Sequence, residues 1–338
     1  MAKKSKKNRI EAEKVTDGAP AEKTTAKSYP KWPILLVLAL IAVGVVILFF
    51  NRGSQVKPSV AKIGPVNGCQ QTPPFVRQLG FGNGAAFSTS DRKIKGLILV
   101  EGDRKYQHPS WKLAGSLAPI TRDGKGGTYV GPAPWIDLLA NKTEDQNRVY
   151  KVDGQSQDMK AFSDLPRVGE ITSQNPYGVL GLTFDCETSS IYAASTAGST
   201  RETVNGRIFQ IGSDGKVVSM LEMTDAMGLA VFNSAKGKRL YFGMARVSEI
   251  WSVALDSDGK FNGEPRKEIS FSTYGTRGDD KARRINFSQT EMNVFGIEFD
   301  FNLIAPTEKQ ETVYRFRYDP AKDAWSFVEE PPQIVNTK

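Results

Sequence analysis

The 338-residue chain is 39% hydrophobic and 24% charged, so it can bury a core and is not disordered throughout. Two cysteines are too few for a disulfide-built scaffold or a zinc cluster. One histidine, His108, excludes a multi-histidine metal centre and makes a Ser-His-Asp triad a poor candidate. The net charge of +8 is lopsided: residues 1–31 carry nine Lys/Arg against four Asp/Glu, and everything beyond Phe50 carries 36 against 33, so no nucleic-acid-binding face is expected.

Residues 1–31 are rich in Lys, Glu, Ala and Thr, which predicts a disordered basic tail. Residues 32–51 follow as a transmembrane segment. Ile34 to Phe50 is an uncharged apolar run of seventeen residues, and as a helix it reaches roughly 26 Å, enough for the hydrocarbon core. Tyr29 and Trp32 stand at its entry, where amphipathic rings favour the membrane interface. The lysines and Arg9 before the run outnumber Arg52 and Lys57 after it. That bias places the tail in the cytoplasm and residues 52–338 on the periplasmic or extracytoplasmic side of the inner membrane. A cleaved signal peptide is the alternative, but the run is longer than a usual h-region and ends in Phe49-Phe50-Asn51-Arg52.

Residues 52–76, punctuated by Gly and Pro, read as a tether, and 77–332 as one β-rich domain, with 333–338 as a short C-terminal tail. The clearest unit is Gly181-Leu182-Thr183-Phe184-Asp185, then Ser190 to Ser195, then Arg207 to Ile211, then Asp214-Gly215 and Lys216-Val217-Val218. Forty-seven residues on, Gly228-Leu229-Ala230-Val231-Phe232 begins a second copy with the same order of parts. Looser copies start near Ala85, Leu117 and Gly296, and Asp-Gly pairs at 123, 153, 214 and 258 mark tight turns. Four strands per repeat of 40–50 residues predict an all-β propeller of six blades, with five as the fallback and a β-sandwich as the competing architecture. Phe271 to Val294 interrupts the pattern and reads as a loop insertion. Its Arg277, Lys281, Arg283 and Arg284 form a candidate partner-docking patch, against the plainer reading of a solvated loop.

The stretch from Met227 to Phe232, through Lys238 to Phe242 and on to Asp256, resembles a blade of the gluconolactonase/senescence-marker-protein group. That group is related in form to strictosidine-synthase-like and NHL-repeat propellers. The resemblance implies a divalent cation held on the axis by Glu, Asn and Asp, and a lactonase- or esterase-type hydrolysis. At the corresponding positions this chain has Asn83, Met227 and Met244, and two thioethers with an amide do not make an oxygen cage. No metal and no other cofactor is therefore expected. Asp185, Glu298 and Asp300 form an alternative set of carboxylates, though turn-capping explains them equally well.

Cys69 and Cys186 are either bridged, closing a loop of over a hundred residues, or separate, with Cys186 buried. Trp111, Trp135 and Tyr177 are candidate rim aromatics for a small-molecule site on the axis. Trp251 and Trp325 are expected to pack between blades. The function these observations favour is non-catalytic: a single-pass anchor in the lipid bilayer holds a propeller whose rim binds a membrane-associated protein.

Overall fold

A computed structural model describes residues 62–89, 91, 94–112, 114–134, 146–172, 174–275, 277–301, 310–328 and 333–336. The tail, the hydrophobic segment with Tyr29 and Trp32, the first part of the tether and Trp135 lie outside the described residues. Among the described residues no helix is long and apolar enough to cross a membrane.

Short β-rich runs separated by Gly, Asp and Pro fold here as hairpins. After the two-residue strand β1 (Gly64–Pro65) and the short helix α1 (Pro74–Gln78), the strands form five antiparallel sheets, the blades of a propeller. Blade 1 has β2 (Ala86–Ser88), β3 (Ile98–Glu101) and β4 (Arg104–Tyr106). Blade 2 has β5 (Leu117–Arg122), β6 (Thr128–Pro132), β7 (Arg148–Val152) and β8 (Met159–Asp164). Blade 3 has β9 (Val179–Asp185), β10 (Ser190–Ser195), β11 (Arg207–Ile211) and β12 (Val217–Leu221). Blade 4 has β13 (Ala226–Ser234), β14 (Gly237–Met244), β15 (Glu249–Leu255) and β16 (Phe261–Ser270). Blade 5 has β17 (Lys281–Ser288), β18 (Glu291–Ile297), β19 (Gln310–Asp319) and β20 (Ala324–Phe327). A last strand, β21 (Gln333–Asn336), pairs with the first half of β19, so the sheet continues beyond residue 332 into the segment expected as a tail.

The blade number is five, not six, and the reason is visible in the spacing. The first strands of the blades begin at residues 86, 117, 179, 226 and 281, so the intervals are 31, 62, 47 and 55 rather than a uniform 45. The interruption from Phe271 to Val294 is not a loop insertion: it contains the whole of β17, the inner strand of blade 5. Gly296-Ile297 ends β18 instead of opening a blade.

Apolar side chains fill the wedges between successive blades. Leu97, Trp111, Val130 and Tyr150 pack between blades 1 and 2, and Tyr129, Phe184, Ile191 and Phe209 between blades 2 and 3. Tyr192, Leu229, Leu240 and Val253 fill the next wedge, with Trp251 against them. Phe232, Tyr241, Phe287 and Phe316, with Trp325, fill the one between blades 4 and 5. Trp111 is fully buried, its indole N–H donating to the Gln157 carbonyl at 2.7 Å, so it is a core residue and not a rim aromatic.

The segment before blade 1 is a strap across the ends of the inner strands, contributing apolar groups to four wedges in turn. Ile63 packs in the wedge of blades 4 and 5, and Val66 in that of blades 3 and 4. Cys69 packs between blades 2 and 3, and Phe75 and Val76 of α1 between blades 1 and 2. Backbone bonds hold it down: β1 pairs with Phe232 and Asn233 of β13, the Cys186 N–H donates to the Val66 carbonyl, and the Gln71 N–H donates to that of Asp123. A disulfide joins Cys69 to Cys186, with the Cα atoms 5.7 Å apart. The strap therefore ties together the blades of a ring whose first and last sheets share no strand among the described residues.

Candidate functional site

The inner strands surround a cavity of about 550 Å³ on the propeller axis, lined by residues from all five blades and by Asn67 and Gln70 of the strap. Its walls differ. Blades 3 and 4 contribute Leu182, Leu229 and Val231, whereas blade 5 contributes Arg283, Arg284 and Asn286, with Glu311 behind them.

Irregular pairing puts both arginines there. In an undisturbed strand, neighbours point to opposite faces. Between Ala282 and Arg284 the register of β17 against β18 slips by one residue, leaving Arg283 as the extra residue of a bulge. Arg283 and Arg284 consequently both line the cavity. Equivalent slips occur between Leu117 and Ile120 in β5, and between Ala226 and Leu229 in β13. A fourth occurs where β9 meets Ala194 and Ser195. Gly228 of β13 accommodates the bulge of blade 5: a β-carbon there would lie 2.8 Å from the Arg284 nitrogen and 2.9 Å from the Arg283 carbonyl carbon.

One carboxylate serves the two guanidinium groups. Arg284 donates to Glu311 at 3.0 Å and lies 4.1 Å over the Phe295 ring, while Arg283 stands 3.8 Å from the other Glu311 oxygen. Burial pulls the Arg283 guanidinium down from its ordinary value; Glu311 opposes this and Arg284 reinforces it. Even lowered, an arginine remains charged at neutral pH. The hub therefore carries a net positive charge. Burial also raises the Tyr177 phenol, and the nearby Arg283 charge offsets part of that rise.

The other expected site residues are dispersed. Arg277 pairs with Asp280 at 2.6 Å and Lys281 donates to the Asp279 carbonyl, whereas Arg283 and Arg284 line the cavity. Asn83 lies in an exposed turn. Met227 is buried in an apolar collar with Ala245, Ile297 and Phe301, and Met244 packs against the wedge of blades 3 and 4. Asp185 is fully buried and accepts from Lys238 at 2.7 Å, Asp300 pairs with Arg201, and Glu298 is exposed, so these three carboxylates do not converge. His108 bonds locally, its Nδ1 2.8 Å from the Ser110 hydroxyl. Among the described residues no group of three or more His, Cys, Asp or Glu is placed to hold a metal ion.

Glu311 and the bulge escaped the sequence reading. The only local signal was Arg283-Arg284, an adjacent charged pair inside a stretch that otherwise alternates.

No protein-family model matches the sequence, and no curated protein does. Among solved structures, a protein from Lactobacillus plantarum is 12% identical, with 75% of this chain and 68% of that one covered, at a TM-score of 0.43. A thermostable family-43 glycoside hydrolase is 10% identical over 64% of this chain and 72% of its own, at 0.38. A glucose dehydrogenase is 10% identical over 67% and 76%, at 0.36. Likenesses of this size carry no argument about function.

Proposed function

We propose that the protein is a non-catalytic binding propeller, anchored in the inner membrane by residues 32–51 and displayed on the extracytoplasmic side, where it recruits a membrane-associated protein. The observation that carries this reading is the outer edge of blade 3. There, among the described residues, β12 pairs with β11 alone, and Val218, Met220 and the adjacent Met223 are 48%, 39% and 68% exposed. The outer strands of blades 1 and 4 bear the charges and proline that usually discourage pairing: Arg104 and Lys105 in β4, and Glu264, Pro265, Arg266, Lys267 and Glu268 in β16. An edge with free backbone groups and flexible apolar side chains suits an extended segment of a partner.

The Cys69–Cys186 bond supports an oxidising compartment. Metal-dependent lactone or ester hydrolysis is disfavoured by electrostatics, because two guanidinium groups share one carboxylate where the cation would sit.

The test is mild-detergent purification from native membranes, combined with protease treatment of intact spheroplasts. The expected result is a ring digestible only from outside, and a stoichiometric partner lost from a Val218→Lys/Met220→Lys variant of unchanged melting temperature. Retention of that partner by the variant, or a ring protected inside the cytosol, would overturn the proposal.

A further inference from the structure

The axial cavity carries a second inference, which goes beyond the docking reading and does not depend on it. Arg283 has five N–H donors in a fixed fork. Among the described residues its one ion-pair partner is Glu311 at 3.8 Å, outside hydrogen-bond range, and the nearer Glu311 contact, at 3.0 Å, belongs to Arg284. The Arg283 side chain is 41% exposed where it lines the cavity, so its donors are open to a ligand that supplies acceptors. Its position is also built rather than incidental. The bulge turns Arg283 into the cavity, and the missing side chain at Gly228 makes room for the bulge.

The surroundings narrow what the acceptor is. With two cations and one anion at blade 5, the cavity attracts negative charge. Asn286, two residues beyond Arg284 on the same strand, lines it as well. Leu182 of blade 3, beside Thr183, and Leu229 and Val231 of the adjoining blade 4 add apolar surface to the lining. The volume of about 550 Å³ lies within the range of small-molecule sites. The strap crosses one end of the axis, which excludes an extended polymer threaded through it.

We infer that the hub is a binding site for a small organic anion, with a carboxylate or phosphate head on Arg283 and Arg284 and an apolar body against blades 3 and 4.

The test uses the full chain in a nonionic detergent and three probes, phenyl phosphate, benzoate and inorganic phosphate, followed by equilibrium dialysis and titration calorimetry. One molecule of phenyl phosphate or benzoate should bind per chain. The tighter of the two identifies the head group, and inorganic phosphate should bind at least about tenfold more weakly, because it leaves the apolar wall uncovered. Arg283→Gln should weaken binding by about ten- to a hundredfold, the range for a charged hydrogen-bonding group. Glu311→Gln removes the competing charge and should tighten binding several-fold, a gain that misfolding cannot produce. Absence of saturable binding of either organic probe up to about 10 mM, a weak-affinity limit, would overturn the inference. So would unchanged affinity in Arg283→Gln, weaker binding by a Glu311→Gln protein that melts like wild type, or inorganic phosphate binding as tightly as the organic probes.

Discussion

Gly181 and Met227 meet backbone to backbone across the junction of blades 3 and 4: a β-carbon on Gly181 would lie 1.8 Å from the Met227 carbonyl oxygen. The contact lies where β13 slips in register, so the irregularity of one inner strand fits against the bare glycine of the next. No left-handed backbone is involved; the requirement for glycine is purely spatial. Gly181→Ala should cost about 3 kcal/mol, the upper part of the range for over-packing a close-packed interior. Gly68→Ala, with nothing within 4 Å of the added carbon, should stay within about 0.5 kcal/mol of wild type. Denaturant midpoints of the two variants measure the difference.

The strap predicts how the ring responds to reduction. Cys69 and Cys186 are 117 residues apart in sequence, and closing a loop of that length is worth at most about 4–5 kcal/mol on chain-entropy grounds. Reduction, or Cys69→Ser, should lower the denaturation midpoint, and hydrogen exchange should rise first at Val66 and Gln71, whose backbone bonds fix the strap. An unchanged midpoint would mean that the wedge contacts of Ile63, Val66 and Phe75 suffice alone. Val66→Ala in the reduced protein then separates the two contributions.

Much of this architecture can be read from the residues. Gly181 to Asp185 and Gly228 to Phe232 alternate as inner strands, and they are β9 and most of β13. All four Asp-Gly pairs fall in turns between consecutive strands, and Asp123, Asp153 and Asp214 accept backbone N–H groups of their own turns. What fails is the inference that charge means solvent. Lys281 to Ser288 carries three basic residues in its first four positions, which disguises an inner strand as a surface loop. The strand buries Ala282, Ile285 and Phe287 against blade 4 while Arg283 and Arg284 line the cavity, so its charges and its core contacts coexist. The strap was illegible for another reason. Ile63, Val66 and Cys69 are single apolar residues among glycines, prolines and polar residues, and each finds its wedge only through tertiary contact. Partner and ligand have no sequence signature in either case.

Asp185 and Lys238 form a second point where a single change should be severe. The carboxylate is fully buried and accepts from Lys238, the Glu187 N–H and the Thr188 hydroxyl. Lys238→Met strands that carboxylate and should cost about 3–5 kcal/mol, the usual penalty for removing one member of a buried pair. Lys238→Met combined with Asp185→Asn should recover part of the loss, since no uncompensated charge remains. A double-mutant cycle in urea reads the coupling, and strictly additive losses would show that the ion pair contributes little.

Asp323 predicts the shape of the acid limb. Burial would raise its carboxyl, but hydrogen bonds from Tyr318 and Arg266 outweigh that, and the group sits below its ordinary value in the folded protein. A depressed folded value means that the unfolded chain binds the proton more readily, so folding is favoured above the unfolded carboxyl value of ~3.9. That contribution falls away as the pH drops through the lower folded value. Melting temperatures measured from about pH 6 to pH 2 span this window. Asp323→Asn should be less stable than wild type at the upper end and converge on it at the lower end. Tyr318→Phe removes one stabilising donor while keeping Arg266, so its acid-dependent loss of stability should be smaller and be complete at higher pH than in wild type. Parallel curves for wild type and Asp323→Asn across the window would show that this carboxylate does not shape the acid response.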